Sequence, residues 1–116
     1  MKSLKELSET VPKEKIYILQ ISDAYKKQIQ SEPDENGLRP RAQWSSCLRP
    51  LPFDVGYLPV VAFTKAVLKT GFRGWFSTEV FDGGPDGTDN EWKDLPGYAK
   101  KAMAAHKRLL DEAVKE

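Results

Sequence analysis

The stretch Lys15-Ile-Tyr-Ile-Leu-Gln-Ile-Ser22 constrains the fold of this chain more than any other. It is rich in β-branched and aromatic residues and has almost no polar alternation, the pattern of a strand covered on both faces in a parallel sheet. A second stretch of the same kind, Gly74-Trp-Phe-Ser-Thr-Glu-Val-Phe81, is bounded by Gly74 before it and by Asp82-Gly83-Gly84-Pro85 after it. Between them, residues 57–69 have helical periodicity through Leu58, Val61, Ala62 and Leu68, with Gly71 where a C-terminal cap belongs. Strand, helix and strand in that order make a βαβ unit, whose parallel crossover is right-handed in nearly all proteins.

A helix flanks this unit at each end. Leu4, Leu7 and Val11 recur at helical spacing over residues 3–11 until Pro12 stops the pattern. Asp94, with Pro96 in the first turn, opens a last helix whose apolar stripe runs through Ala99, Ala102, Met103, His106, Leu109, Leu110 and Ala113. Residues 23–54 show no periodicity, and loops of that length inside compact domains are functional or disordered. Disorder is expected at residues 31–37, at 83–90 and at the terminal residues. The fold class is α/β, but two parallel strands are few for an independent domain, because their faces and edges need further cover. The chain reads as an incomplete sheet.

Composition narrows the function. With 116 residues, 40% hydrophobic and 30% charged, the chain has the make-up of a soluble globular protein. Eighteen Lys and Arg against seventeen Asp and Glu leave a formal charge of +1, so no global field draws in nucleic acid or an anionic membrane. The longest apolar runs, 16–19 and 60–63, fall far short of the ~20 residues that span a bilayer. Cys47 is the single cysteine and cannot close an intrachain disulfide. With no apolar leader in the opening Met-Lys-Ser-Leu-Lys-Glu, a cytoplasmic setting is the expectation.

Glu79 is the sharpest chemical signal, because a carboxylate among apolar strand residues demands a partner. Alternation puts it with Trp75, Ser77 and Phe81 on one side of its strand, leaving Phe76, Thr78 and Val80 for helix packing. It then faces a lumen or crevice near the strand's C-terminal end, where α/β folds build their sites, or else meets water or a loop arginine. Gln20 holds the same place in the first strand, on the face of Ile16, Ile18 and Ser22. A Gln carbonyl and a Glu carboxylate are hard donors suited to Mg²⁺ or Mn²⁺, although a buried Gln is more often bonded to backbone. Asp23, at the strand-to-loop junction, caps the loop or orients a ligand. Arg39, Arg41 and Arg49 lie in the long segment beside Trp44 and Ser45, and a guanidinium there can clamp a substrate carboxylate. Arg49 leads because the adjacent prolines, Pro50 and Pro52, stiffen its backbone. His106 reads as a packed histidine of the last helix, and Cys47 as a bystander.

The run Lys15 to Ala24, then Trp44-Ser45, Arg49-Pro-Leu-Pro52, a helix, and Gly71-Phe-Arg-Gly-Trp-Phe-Ser-Thr-Glu-Val-Phe81, resembles the C-terminal part of the xylose-isomerase-like TIM-barrel superfamily. The likeness is closest to the 3-dehydroshikimate dehydratases, metal-dependent lyases that remove water from 3-dehydroshikimate to form protocatechuate. It extends from about Ser3 to the last helix, and its most specific part is Ser-Thr-Glu-Val-Phe. The resemblance implies a divalent metal (Mg, Mn or Co) held by ligands on four barrel strands. Gln20, in a Gln-x-x-Asp-Ala pattern, matches the seventh-strand ligand, and Glu79 matches the eighth. Arg49 falls in a segment shared widely among sugar isomerases and epimerases and is the candidate for substrate binding.

A complete (β/α)₈ barrel typically takes ~250 residues, and this chain matches only the seventh and eighth strands with their helices. The other two metal ligands and the general base are not in it, so no catalytic residue is assigned. The leading expectation is a C-terminal fragment of such a dehydratase, inactive alone, with a small-molecule substrate in the intact enzyme and the N-terminal barrel portion missing. A sugar-phosphate isomerase or epimerase of the same superfamily is the alternative enzyme. A third possibility is a non-catalytic module that completes its sheet by homo-oligomerising or by docking on another chain.

Overall fold

A computed structural model describes residues 2–89 and 94–115. Of the segments expected to be disordered, Asn90 and the terminal Met1 and Glu116 lie outside the described residues. The chain runs α1 (Lys2–Thr10), a short 3₁₀ turn (Lys13–Lys15), β1 (Ile18–Ile21), α2 (Pro40–Ser45), β2 (Leu48–Arg49), α3 (Val60–Lys69), β3 (Trp75–Thr78), β4 (Phe81–Asp82) and α4 (Leu95–Val114). It is a mixed α/β arrangement with two small sheets. β1 and β3 are parallel neighbours, with Gln20 opposite Ser77. β2 and β4 form a short antiparallel ladder, with Arg49 opposite Phe81. No barrel is closed among the described residues.

The βαβ core follows the sequence pattern, with two corrections. β1 is covered on one face only: Leu19 and Ile21 are buried, whereas Ile18 is 53% exposed. Helices lie on one side of the sheet, so alternation sends every second side chain outward however apolar it is. The expected 74–81 strand is also divided. Its ladder with β1 ends at Thr78 and one more bond, Glu79 N–H to the Ile21 carbonyl at 3.1 Å, after which Phe81 and Asp82 turn to pair with β2.

Leu19, Ile21, Val60, Val67, Phe72 and Leu109 form the core, with Leu7, Phe76 and Val61 packed against it. α1 and α4 both pack on α3. The apolar stripe of α3 is rotated from the expected one: Val60, Thr64 and Val67 are buried, and Leu58 lies outside the helix and exposed. Thr64 tolerates full burial by donating its hydroxyl to the Val60 carbonyl at 2.8 Å. Gly71 caps α3 as expected, with φ +93° and its N–H on the Leu68 carbonyl. In α4, Leu109 and Ala113 are buried and Met103 is exposed.

The segment 23–54 is more ordered than its aperiodic sequence suggests. Asp23 N–H and Tyr25 N–H bond to the Pro50 and Leu48 carbonyls at 2.9 and 3.1 Å, laying residues 23–25 along 48–50. Residues 34–38 close a turn in which the Asp34 carboxylate accepts from the Asn36 and Leu38 N–H groups, and residues 83–89 close another through Gly87 N–H to Gly84 and Asp89 N–H to Gly83. In both, short polar side chains and glycine turns satisfy the backbone locally.

The molecule is a slab of 43 × 34 × 22 Å. Its accessible surface is 8383 Å², whereas a compact monomer of this mass exposes about 6,400 Å². Trp75, 81% exposed, stands beside Ile18 on the uncovered face of the sheet, and Tyr17, just before β1, is equally exposed. No helix among the described residues is long and apolar enough to cross a membrane.

Candidate functional site

The uncovered face carries the candidate site. Gln20 and Glu79 project from neighbouring parallel strands near their C-terminal ends, one in β1 and the other just beyond β3. Gln20 Nε2 donates to Glu79 Oε2 at 3.1 Å. The same oxygen takes Arg49, whose guanidinium nitrogen lies 3.2 Å away. Three residues separated by up to 59 positions in the chain thus meet at one carboxylate oxygen. Parallel pairing of β1 with β3 brings Gln20 and Glu79 together, and the β2–β4 ladder swings Arg49 over them.

Arg49 is fixed from several sides. Its Nε donates to the Ser45 carbonyl at 2.9 Å, and its guanidinium carbon sits 4.7 Å from the centroid of the Phe81 ring, a cation–π contact. Its side chain is 21% exposed, against 44% for Glu79. A pair this open to solvent contributes ~0.2–1 kcal/mol to stability. Its importance lies in geometry and charge.

A rigid rim supports the site. Asp23 is buried, and its Oδ1 accepts from its neighbour Ala24 N–H at 2.7 Å and from Leu58 N–H at 2.9 Å, clamping the approach to α3 onto the end of β1. Gly56 makes room for it: a Cβ there would sit 2.1 Å from the Asp23 carboxyl carbon. Asp23 is therefore a loop clamp, one of the two roles its position allowed. Tyr25, also buried, donates its hydroxyl to Asp82 Oδ1 at 2.7 Å, and Gly84 N–H reaches the same oxygen at 3.0 Å. Burial, and then the bond to the Asp82 carboxylate, raise the Tyr25 phenol well above its ordinary pKa of 10. Burial raises Tyr98 too, helped by the charges of Asp82 and Asp54.

The remaining candidates lie elsewhere. Arg39 and Arg41 are exposed before and on α2. His106 Nδ1 and Thr78 Oγ1 share a hydrogen bond of 2.7 Å on the helix-covered side of β3, tying α4 to that strand. Cys47 Sγ lies within 3.4 Å of the Gln43 carbonyl. The Tyr25–Asp82 bond and the Asp23–Gly56 fit were not read from the sequence. The Asp-Gly-Gly-Pro run at 82–85 marks the strand's end, and only the register of β2 with β4 shows that Asp82 turns back towards Tyr25.

The donors at this site are of the right kind for a hard divalent cation, an amide and a carboxylate. They are too few to form a metal centre alone, and a guanidinium already neutralises the carboxylate. Among the described residues, no group of three or more His, Cys, Asp or Glu side chains is placed to hold a metal ion. As an isolated unit, the site is a hydrogen-bonded ion pair at the mouth of two parallel strands. Compared with protein-family models, curated proteins and solved structures, the chain finds no match.

Proposed function

We propose that this chain forms the last two β/α units of a (β/α)₈ barrel of the xylose-isomerase-like kind. The parent would be a cytoplasmic, metal-dependent dehydratase that converts 3-dehydroshikimate to protocatechuate. The observation that carries the reading is the meeting of Gln20, Glu79 and Arg49 at the C-terminal ends of adjacent parallel strands, on the face turned away from the helices. Sites of α/β barrels are built at that end of the strands and from that side of the sheet. The uncovered face adds support, since Ile18 and Trp75 stand in solvent on the side that the interior of a barrel would cover.

In this reading Gln20 and Glu79 supply two of the ligands of a divalent metal (Mg, Mn or Co), whose contribution when bound is to polarise a substrate carbonyl. Arg49 binds the substrate carboxylate, for which its planar fork is suited. The remaining ligands and the general base come from the other strands, and the chain by itself has little or no activity.

An antibody raised against residues 15–81 tests this in extract of the source cells. The expected result is a species of about 30 kDa or more, as a whole barrel requires, whose immunoprecipitate forms protocatechuate and loses that activity to a chelator. A precipitate that isomerises sugar phosphates and forms no protocatechuate would move the assignment to the sugar-phosphate isomerases and epimerases. A species of 13.1 kDa that acts on neither and is indifferent to chelators would leave a module that covers its sheet with a second copy or another chain.

A further inference from the structure

Between α4 and the residues that follow β2 lies a cleft of about 250 Å³. Its α4 wall is Lys101, Ala104, Ala105 and Arg108, spaced i, i+3, i+4 and i+7 on one face of the helix. Two methyl groups thus form a floor between two cations rooted about 10 Å apart along the helix axis. The facing wall includes Phe53 and Asp54, and none of these residues belongs to the Gln20–Glu79–Arg49 centre.

The two cations are held differently. Lys101 Nζ lies 3.2 Å from Asp54 Oδ2, so its charge is answered within the cleft. Arg108 makes no hydrogen bond or ion pair with the described residues, and its guanidinium carbon sits 4.0 Å from the centroid of the Phe53 ring. At that separation the guanidinium lies flat on the ring, because an N–H aimed at the ring would hold the carbon further off. The contact uses the face of the guanidinium and leaves its in-plane N–H donors unengaged. Arg49 is the opposite case, its donors taken by the Ser45 carbonyl and Glu79. The support under Arg108 is itself fixed. Phe53 packs against the core, and it is the one non-glycine residue among those described with a positive φ, +64°. Residues held in that region cluster at ligand sites, where the surroundings keep them in place.

We propose that this cleft binds a small organic carboxylate, paired through two N–H···O bonds with the edge of the Arg108 guanidinium, its apolar body resting on Ala104 and Ala105. The planar fork of an arginine matches a planar carboxylate in this way. Charge selects a carboxylate over a phosphate monoester: Arg108 and Lys101 against Asp54 leave one net positive charge, which balances a monoanion, and Asp54 repels a second negative charge. The site is separate from the substrate carboxylate assigned to Arg49 and does not rest on that assignment or on the metal reading of Gln20 and Glu79.

Titration of the ¹⁵N-labelled full chain with benzoate tests the proposal, read at the Arg108 and Arg49 Nε–H resonances and at the Ala104 and Ala105 N–H groups. Saturable shifts at Arg108 and the two alanines are expected, with a Kd of about 1–10 mM for a ligand this small. Benzyl alcohol, similar in shape but uncharged, should produce none. Phenyl phosphate, a dianion at about pH 8, should bind more weakly than benzoate. Arg108→Gln is expected to weaken benzoate binding about tenfold, the worth of a charge-assisted pair. Ala105→Leu fills the floor while leaving Arg108 and Phe53 untouched and should abolish binding. Shifts confined to Arg49, no shifts at all, an equal response to benzyl alcohol, or tighter binding of phenyl phosphate overturns the proposal. So does unchanged affinity in Ala105→Leu, which decides the matter alone should Arg108→Gln fail to fold. Protocatechuate formation by the immunoprecipitate judges the enzyme reading separately, so either can fail without the other.

Discussion

The two faces of the β1–β3 sheet are made by alternate residues of the same strands, yet one is sealed and the other open. On the sealed face Leu19 and Ile21 are buried and Phe76 packs against the core of α3 and α4. On the open face Ile18 and Trp75, no less apolar, stand in solvent around Gln20, Glu79 and Arg49. Side-chain chemistry therefore does not separate the faces. Helix placement does, and the open face combines apolar side chains with the meeting of Gln20, Glu79 and Arg49.

The largest effect expected of a single substitution is on the sealed side. Leu109 is 2% exposed in the middle of the core, and Leu109→Ala should cost about 2–5 kcal/mol, the range for a core leucine that leaves a cavity. Urea denaturation measures it. A loss smaller than that of an open-face variant would mean that the faces are wrongly ranked.

The rim between the faces should show an intermediate effect with a pH signature. The Tyr25 phenol has a raised pKa in the folded chain, so folding favours its neutral form. Its contribution is fully present below the unfolded value near 10 and is lost as pH climbs beyond that. Tyr25→Phe removes a bond to the Asp82 carboxylate and should cost about 1 kcal/mol at neutral pH. It should also flatten the alkaline decline in stability, read from thermal midpoints between neutral pH and the alkaline limb. An unchanged decline would place the alkaline weakness elsewhere, with Tyr98 next in line.

The smallest effect belongs to the open face. Trp75→Ser and Ile18→Ser should each change stability by less than about 0.5 kcal/mol, as exposed substitutions do. Measured at several protein concentrations, a loss that grows with concentration would show the face covered by a second copy of the chain in solution and would dissolve the contrast between the faces.

How much of this was legible in the sequence follows from the range of the interactions. The βαβ order, the flanking helices and the buried Leu109 and Ala113 come from local periodicity, which survives in a single segment. The placing of Gln20 and Glu79 on one side of the sheet also follows from alternation, because strand parity is a local property. The β2–β4 ladder was not legible: a two-residue strand has no period, and its partner lies more than thirty positions away. The same is true of the Arg49–Glu79 pair, whose existence depends on that ladder. The single-sided burial of β1 escaped for another reason. Periodicity reports how apolar a residue is, and Ile18 is apolar whether or not a helix lies over it.

The slab form of the chain has a hydrodynamic consequence. A body of 43 × 34 × 22 Å has a radius of gyration of 15.7 Å, where about 13 Å describes a compact chain of this length. It meets more friction in water than a sphere of its mass. A copy or partner laid across the short axis rounds the particle, and the frictional ratio falls as the assembly grows. Sedimentation would therefore report both that a partner has arrived and along which axis it sits: cover on the thin axis rounds the particle, whereas growth along the long axis lengthens it.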